Sequence, residues 1–262
     1  MKKIFYLSTF IAVFFFISNA YAYYNITNVN TTIILNSNQS ARVVELFTVY
    51  VSNSSIASYQ QSKDAIGITL SDWQKIIYGG GLVQHIYGSG SSFYNFEFLP
   101  GPIVNVPGGG YATLTMNYYI KNATTVKNIA PRKFEYTLND SIFNFQEEQS
   151  GQILPTNIRL NIIMPTGAKI TTIYPLPDYP KPNLIDNYTN DTEFSWFTGE
   201  PLSQFAFQYV ITESPEAEVV SYFQGIYTKY NIEIYLIIVA AIIFVVLRVT
   251  VKNKSSKKDK EE

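Results

Sequence analysis

The chain has 262 residues but no cysteine and only one histidine, His85. Without cysteine there are no disulfides, no thiolate nucleophiles and no zinc–thiolate sites. No Gly-x-Ser-x-Gly elbow accompanies His85, and no carboxylates stand at metal-ligand spacing around it. We therefore expect a non-enzymatic protein with no catalytic residue, no metal site and no cofactor, in which His85 is an ordinary loop or strand residue.

Charged residues are also scarce, and their two signs are unevenly distributed. Between Tyr23 and Asn231 there are 16 acidic and 11 basic residues, whereas six cations crowd into Arg248–Lys260. A mildly acidic body has no electrostatic attraction for a phosphate backbone, so no nucleic acid partner is expected.

The first residues have the composition of a secretory signal peptide. Lys2 and Lys3 precede an apolar run from Ile4 to Ile17, and Ala20-Tyr21-Ala22 supplies small residues for cleavage. The pattern predicts a signal peptide at residues 1–22, removed after Ala22.

A second apolar run lies near the other end. Ile234–Val251 holds 18 residues, and at about 1.5 Å per residue it would span roughly 27 Å of bilayer. The cations that follow it predict a cytoplasmic tail at residues 252–262, by the positive-inside rule. We expect a juxtamembrane linker at 214–231, a transmembrane helix at 232–251 and a single-pass type I cell-membrane protein, with the lipid bilayer as a partner.

Several segments between these ends alternate apolar and polar residues with a period of two. This period is typical of half-buried strands, and it recurs in Tyr111–Lys121, Phe134–Leu138, Asn157–Met164 and Phe205–Thr212. Asn36–Gln39 has the composition of a hairpin turn. The chain is predicted to be mainly β, with one or two β-sandwich (immunoglobulin-like) subdomains at 23–130 and 131–213. A single sandwich with an insertion remains open.

Helical signals are scarce. The best candidate is Ser71–Tyr78, with Ser71 as N-cap, Gln74 completing a capping box and Gly79–Gly81 ending the helix.

Asn-x-Ser/Thr sequons are unusually frequent, and they predict N-glycosylation of an exported surface. The alternative is that Asn, Ser and Thr simply gather in turns. A ninth sequon, at Asn253, would lie on the cytoplasmic side. The eight expected sites are Asn25, Asn30, Asn38, Asn53, Asn122, Asn139, Asn187 and Asn190.

Five segments carry a resemblance to known proteins: Thr32–Glu45, Ala112–Ile120, Leu160–Pro175, Phe194–Gly199 and Phe205–Tyr209. Together they resemble uncharacterised archaeal surface proteins built from a signal peptide, a β-sandwich ectodomain and a C-terminal anchor. Ile162–Lys169, the later strand and the span also look like the end of the ribophorin I ectodomain, a non-catalytic oligosaccharyltransferase subunit. Neither resemblance implies catalytic residues.

These features together predict a membrane-anchored extracytoplasmic protein that binds or scaffolds other components of the cell envelope. The alternative is a non-catalytic accessory subunit of a membrane enzyme complex, such as an oligosaccharyltransferase-like assembly. A third hypothesis is an independent hydrolase, in which His85 would have to be a catalytic residue.

Overall fold

The computed structural model describes residues 24–65, 69–77, 81–87, 93–148, 151–181, 188, 191–197, 199 and 201–216. The expected signal peptide, the transmembrane helix at 232–251 and the tail lie outside the described residues, as do Asn187 and Asn190. In the described part of the chain, no helix has both the length and the apolar character needed to cross a bilayer.

Strands make up most of the described chain. Two short α-helices, α1 and α2, follow the first hairpin, and two single-turn 3-10 helices occupy Asn53–Ser55 and Asp140–Ile142. In chain order the elements are β1 (Tyr24–Leu35), β2 (Ala41–Ser52), α1 (Ile56–Asp64), α2 (Leu70–Ile76), β3 (Phe93–Val106), β4 (Gly109–Ile120), β5 (Thr124–Ala130), β6 (Lys133–Leu138), β7 (Gln146–Glu148), β8 (Gly151–Ile153), β9 (Ile158–Ile163), β10 (Lys169–Tyr174), β11 (Glu193–Trp196) and β12 (Ala206–Thr212).

The strands form two principal sheets. The larger has six strands in the order β11-β9-β1-β2-β4-β3, and the smaller has four in the order β10-β12-β6-β5. Pairing in the larger sheet is antiparallel except between β1 and β9, which run parallel with Val29 opposite Ile158. This parallel pair crosses the division expected at residues 130/131, because strands from both sides of it share one ladder.

The predicted period-two alternation places apolar side chains in the core. Rings from the two sheets meet there, with Phe194 5.6 Å from Phe207 and Trp196 5.1 Å from Phe205 between ring centroids. The mainly β prediction is confirmed, and two sheets that share one core are consistent with a β-sandwich. The inward-facing residues expected from the pattern are all buried: Leu114, Met116, Tyr118, Ile158, Leu160, Ile162, Phe205, Phe207 and Tyr209.

The predicted helix exists, but its expected start is wrong. α2 begins at Leu70 with Thr69 as its N-cap, and Thr69 and Asp72 form the capping box in place of Ser71 and Gln74. The Asp72 carboxylate accepts hydrogen bonds from the backbone N–H and the hydroxyl of Thr69, at 3.0 and 2.8 Å. The Asp72 carboxylate is charged and lies close to the helix N-terminus, so it caps the helix more strongly than the neutral amide of Gln74 would.

Helix α1 was missed because it is polar almost all round, with only Tyr59 buried. Tyr59 packs in an aromatic cluster, 5.5 Å from Tyr24 and 5.3 Å from Trp73. Its hydroxyl donates to the carbonyl of Gly101 in β3 at 2.8 Å. Both helices are therefore held to the larger sheet by aromatic packing that the helical pattern alone does not reveal.

The described residues divide into two units. The first comprises residues 24–129 and 134–211, and it contains both sheets. In the second, comprising residues 130–133 and 212–216, the backbone N–H of Glu213 donates to the carbonyl of Arg132 at 2.9 Å.

Candidate functional site

A network of polar side chains lies on the outer face of the larger sheet, where β1, β9 and β11 are neighbours. Because side chains alternate along a strand, burial of Ile158, Leu160 and Ile162 turns Arg159 and Asn161 to the opposite face. The ladder places Asn161 opposite Thr32 on one side and Ser195 on the other. We call Asn30, Thr32, Arg159, Asn161 and Ser195 the polar ladder.

Asn161 is the centre of the polar ladder. Its amide nitrogen donates to the Asn30 side-chain oxygen and to Thr32 Oγ1, the latter at 3.2 Å. Its amide oxygen accepts from Ser195 Oγ at 2.7 Å and from Arg159 Nε at 3.0 Å. Both donors and both acceptor sites of the amide are occupied, so Asn161 holds its neighbours in one arrangement.

Arg159 is fixed by the polar ladder but keeps hydrogen-bonding capacity. Besides the Nε bond, one of its terminal nitrogens donates to Ser195 Oγ at 3.2 Å. The guanidinium carbon lies 4.5 Å from the centroid of the Phe197 ring. Among the residues that the structure describes, no carboxylate forms an ion pair with Arg159. A guanidinium has five N–H donors and is always charged, so it presents an unneutralised cation with donors to spare.

The guanidinium borders an open cleft with a volume of about 330 Å³. The described lining residues provide amides, a hydroxyl, a cation and an aromatic ring, and none of them is acidic. This combination suits a ligand rich in hydrogen-bond acceptors. The lining residues are Asn28, Asn30, Thr156, Ile158, Arg159 and Phe197.

Residues 174–181, which we call the proline-rich strap, cover the edge of β11 beside the cleft. Backbone hydrogen bonds join the strap to Ser195, whose N–H donates to the carbonyl of Tyr179 at 2.7 Å. The Asp178 carboxylate accepts from the backbone N–H of Phe197 at 2.8 Å, and the Trp196 indole N–H donates to the carbonyl of Pro175 at 3.0 Å. The strap thus closes the sheet edge and fixes the backbone that carries Phe197.

A second polar cluster lies inside the core, around the only histidine. Glu45 is fully buried, and its carboxylate contacts His85 Nδ1 at 2.6 Å. It also accepts from the His85 backbone N–H at 3.0 Å and from the Tyr118 hydroxyl. Phe47 and Phe145 stack on the two sides of the imidazole, at 5.8 and 5.5 Å.

The Glu45–His85–Tyr118 cluster binds residues 81–87 to the sheet. The Tyr118 hydroxyl also donates to the carbonyl of Ile86 at 2.9 Å. Burial first, and then the adjacent Glu45 carboxylate, raises the pKa of Tyr118, so its hydroxyl stays protonated and donates. The bonds to the His85 backbone N–H and to the Ile86 carbonyl anchor the backbone of this segment to the sheet.

The expected glycosylation residues differ in exposure. Asn30 and Asn139 are half-buried, and Asn187 and Asn190 lie outside the described residues. Asn38 and Asn139 each accept hydrogen bonds from the Ser two residues later, a geometry typical of Asx turns. The exposed sequon residues in the described part of the chain are Asn25, Asn38, Asn53 and Asn122.

Sequence reasoning missed both polar clusters. Glu45 is an acid at an inward position of an apolar strand, between Val43 and Phe47, and that violation of the pattern is a usable signal. Arg159 and Asn161 were recognised only as the polar side of β9. Their connection to Ser195 depends on a pairing across more than thirty residues, which no local pattern encodes.

Comparison with known proteins adds little. No protein-family model matches the chain, and neither does any curated protein. A solved structure, the folded domain of Mycobacterium tuberculosis LppM determined by NMR, is similar over 76% of this chain and 97% of that one, with 8% identity and a TM-score of 0.27.

Proposed function

We propose that this protein is a membrane-anchored extracytoplasmic binding protein of the cell envelope. The observation that carries the proposal is the open cleft beside Arg159, a fixed cation without an acidic partner among the described residues. Buried polar groups usually have their hydrogen bonds satisfied within the protein, whereas the Arg159 guanidinium has unused N–H donors beside an open cleft. A ligand with oxygen acceptors would complete its hydrogen bonding.

Binding suits the cleft better than turnover. The lining residues that the structure describes include no carboxylate, imidazole or nucleophile–base pair, so none of them is suited to abstract or deliver a proton. In the buried Glu45–His85–Tyr118 cluster, the side chains bond to one another and to the backbone of residues 85 and 86. The protein would therefore act by contact, without a cofactor or metal.

The anchor, the signal peptide and the glycans belong to the same proposal. The apolar run Ile234–Val251 and the cations after it would hold the chain in the membrane with residues 23–231 outside. The two sheets would form an immunoglobulin-like β-sandwich ectodomain. Exposure of Asn25, Asn38, Asn53 and Asn122 supports glycosylation there.

Sedimentation with envelope material tests the proposal. The purified full chain, in detergent, is mixed with membrane-stripped envelope material from the source cells and pelleted. We expect wild type to co-sediment and Arg159→Ala to bind about tenfold less, since charge-assisted hydrogen bonds contribute about 1.5–3 kcal/mol.

Arg42→Ala is the matched control. Arg42 is exposed on the same face of the sheet and donates through Nε to Asn117 at 2.9 Å, but it does not line the cleft. Its replacement should leave sedimentation unchanged. Failure of wild type to pellet, or equal binding by Arg159→Ala, would refute the proposed function.

A further inference from the structure

We infer that the cleft recognises an acidic saccharide, with Arg159 binding the carboxylate of a uronic acid and Phe197 packing on its ring. The inference rests on the proposed function and specifies the ligand class of the same cleft. Three observations carry it: the N–H donors of Arg159 that the described residues leave unused, the exposed ring of Phe197, and described lining residues that are rich in amides and include no acid.

Arg159 is preorganised for a carboxylate. Its bonds to Asn161 and Ser195 occupy Nε and one terminal N–H, which leaves three of the five guanidinium N–H groups. A planar guanidinium matches the two oxygens of a carboxylate in a bidentate pair. Because the polar ladder already fixes the side chain, little conformational entropy remains to be lost on binding.

Phe197 and the neighbouring polar side chains suit a sugar ring. The Phe197 side chain stays 36% exposed even with the guanidinium beside it, so an apolar ring face is available at the cleft wall. Asn28 and Thr156 are exposed at the cleft and can exchange hydrogen bonds with hydroxyl groups. A sugar uronate combines these three properties: an apolar ring face, hydroxyl groups and a carboxylate.

Other anions fit this lining less well. A fatty acid needs an apolar wall, but among the described lining residues only Ile158 and Phe197 are apolar. Phosphate sites usually combine several cations or a helix N-terminus, whereas the lining residues that the structure describes include one cation, Arg159. Inorganic phosphate is therefore the informative competitor in the test.

Asn30 links this inference to glycosylation. It lines the cleft, and its side-chain oxygen accepts from Asn161. A glycan attached to Asn30 would enter the cleft, so the inference requires an unmodified Asn30 side chain. Glycopeptide mass spectrometry of the native protein should find it unmodified, and complete modification of Asn30 would overturn the inference.

Calorimetric titration of the purified full chain with digalacturonate is the binding test. We expect saturable binding, at least about tenfold weaker binding of the neutral digalactose analogue, and no competition by equimolar inorganic phosphate. Equal affinity for the neutral sugar, displacement by phosphate, or no binding of digalacturonate would each overturn the inference.

Two variants separate recognition from folding. Arg159→Ala should lose about tenfold or more in digalacturonate affinity, but it also disturbs the polar ladder. Asn28→Asp leaves the described hydrogen bonds of the ladder intact and places a negative charge in the cleft. Asn28→Asp should retain wild-type thermal unfolding and weaken digalacturonate binding more than digalactose binding. A stable Asn28→Asp protein with unchanged affinity for digalacturonate would contradict the proposed binding mode.

The titration and the sedimentation assay fail independently. Arg159-dependent sedimentation without uronate binding would leave the proposed function standing and reject the ligand class. Loss of both would reject both.

Discussion

Two adjacent residues of β9 show what the period-two alternation predicts and what it does not predict. Leu160 and Asn161 face opposite sides of the sheet, as the period of two requires. If Asn161 were an exposed polar residue, as alternation alone predicts, its replacement would be nearly silent. The Asn161 side chain is only 4% exposed, because strands on both sides contribute hydrogen-bond partners to it.

Both neighbouring substitutions should therefore destabilise the protein, for different reasons. Leu160→Ala should lower the free energy of unfolding by about 2–5 kcal/mol through lost packing. Asn161→Ala should cost about 1–3 kcal/mol, because it removes the acceptor of the buried Ser195 hydroxyl and of Arg159 Nε. Urea denaturation measures both, with exposed Thr113→Ala as a control expected within about 0.5 kcal/mol of wild type. A silent Asn161→Ala would contradict the polar ladder.

The buried histidine gives a second prediction at this scale. His85→Ala should cost about 1–3 kcal/mol, because it removes one hydrogen-bond partner of the fully buried Glu45 side chain. Val83→Ala, in the same segment but 38% exposed, should cost little.

A double-mutant cycle between His85→Ala and Glu45→Ala tests the coupling. The double variant should lose less stability than the sum of the single variants, since each single variant already loses the bond between the two side chains. Additive losses would mean that the two side chains do not stabilise each other.

At the scale of elements, local patterns predicted strands better than helix ends. The hairpin turn at Asn36–Gln39 is confirmed by a hydrogen bond from the Asn36 N–H to the Ser40 carbonyl at 2.9 Å. The start of α2 was placed two residues late, because Thr69-x-x-Asp72 and Ser71-x-x-Gln74 both fit a capping box. The polar helix α1 has no apolar stripe to detect.

The capping box predicts an acid-dependent contribution to stability. Hydrogen bonds from the backbone and hydroxyl of Thr69, then Lys75, lower the pKa of Asp72 from 3.8 to about 2. A depressed folded-state pKa stabilises the fold above the unfolded-state value, and this stabilisation is lost as pH falls through the folded-state value. The stability difference between wild type and Asp72→Asn should therefore be constant above about pH 5 and shrink towards pH 2. Thermal unfolding across this range would refute the capping geometry if the difference did not change with pH.

At the scale of the whole molecule, strand order was beyond the reach of the sequence. The parallel pairing of β1 with β9 places Val29 opposite Ile158. The two strands are not joined by a short turn, so no local pattern predicts that they pair. This pairing also creates the candidate cleft, because it brings Asn28 and Asn30 beside Arg159. The sequence pattern therefore predicted a β-rich protein and its buried core, but it did not predict the cleft beside Arg159.

The central claim is that the Arg159 cleft lies outside the cell and is occupied by envelope material. Because the chain has no cysteine, a Thr156→Cys variant would carry a single thiol at the cleft, and Thr125→Cys would carry one on an exposed position of β5. The measurement is the rate of labelling by a membrane-impermeant maleimide, on intact cells and on purified protein. We predict that both variants are labelled on intact cells, and that Thr156→Cys alone reacts more slowly there than when purified. Labelling that required cell lysis would contradict this prediction. A ratio of the Thr156→Cys rate to the Thr125→Cys rate that was the same on intact cells and on purified protein would also contradict it.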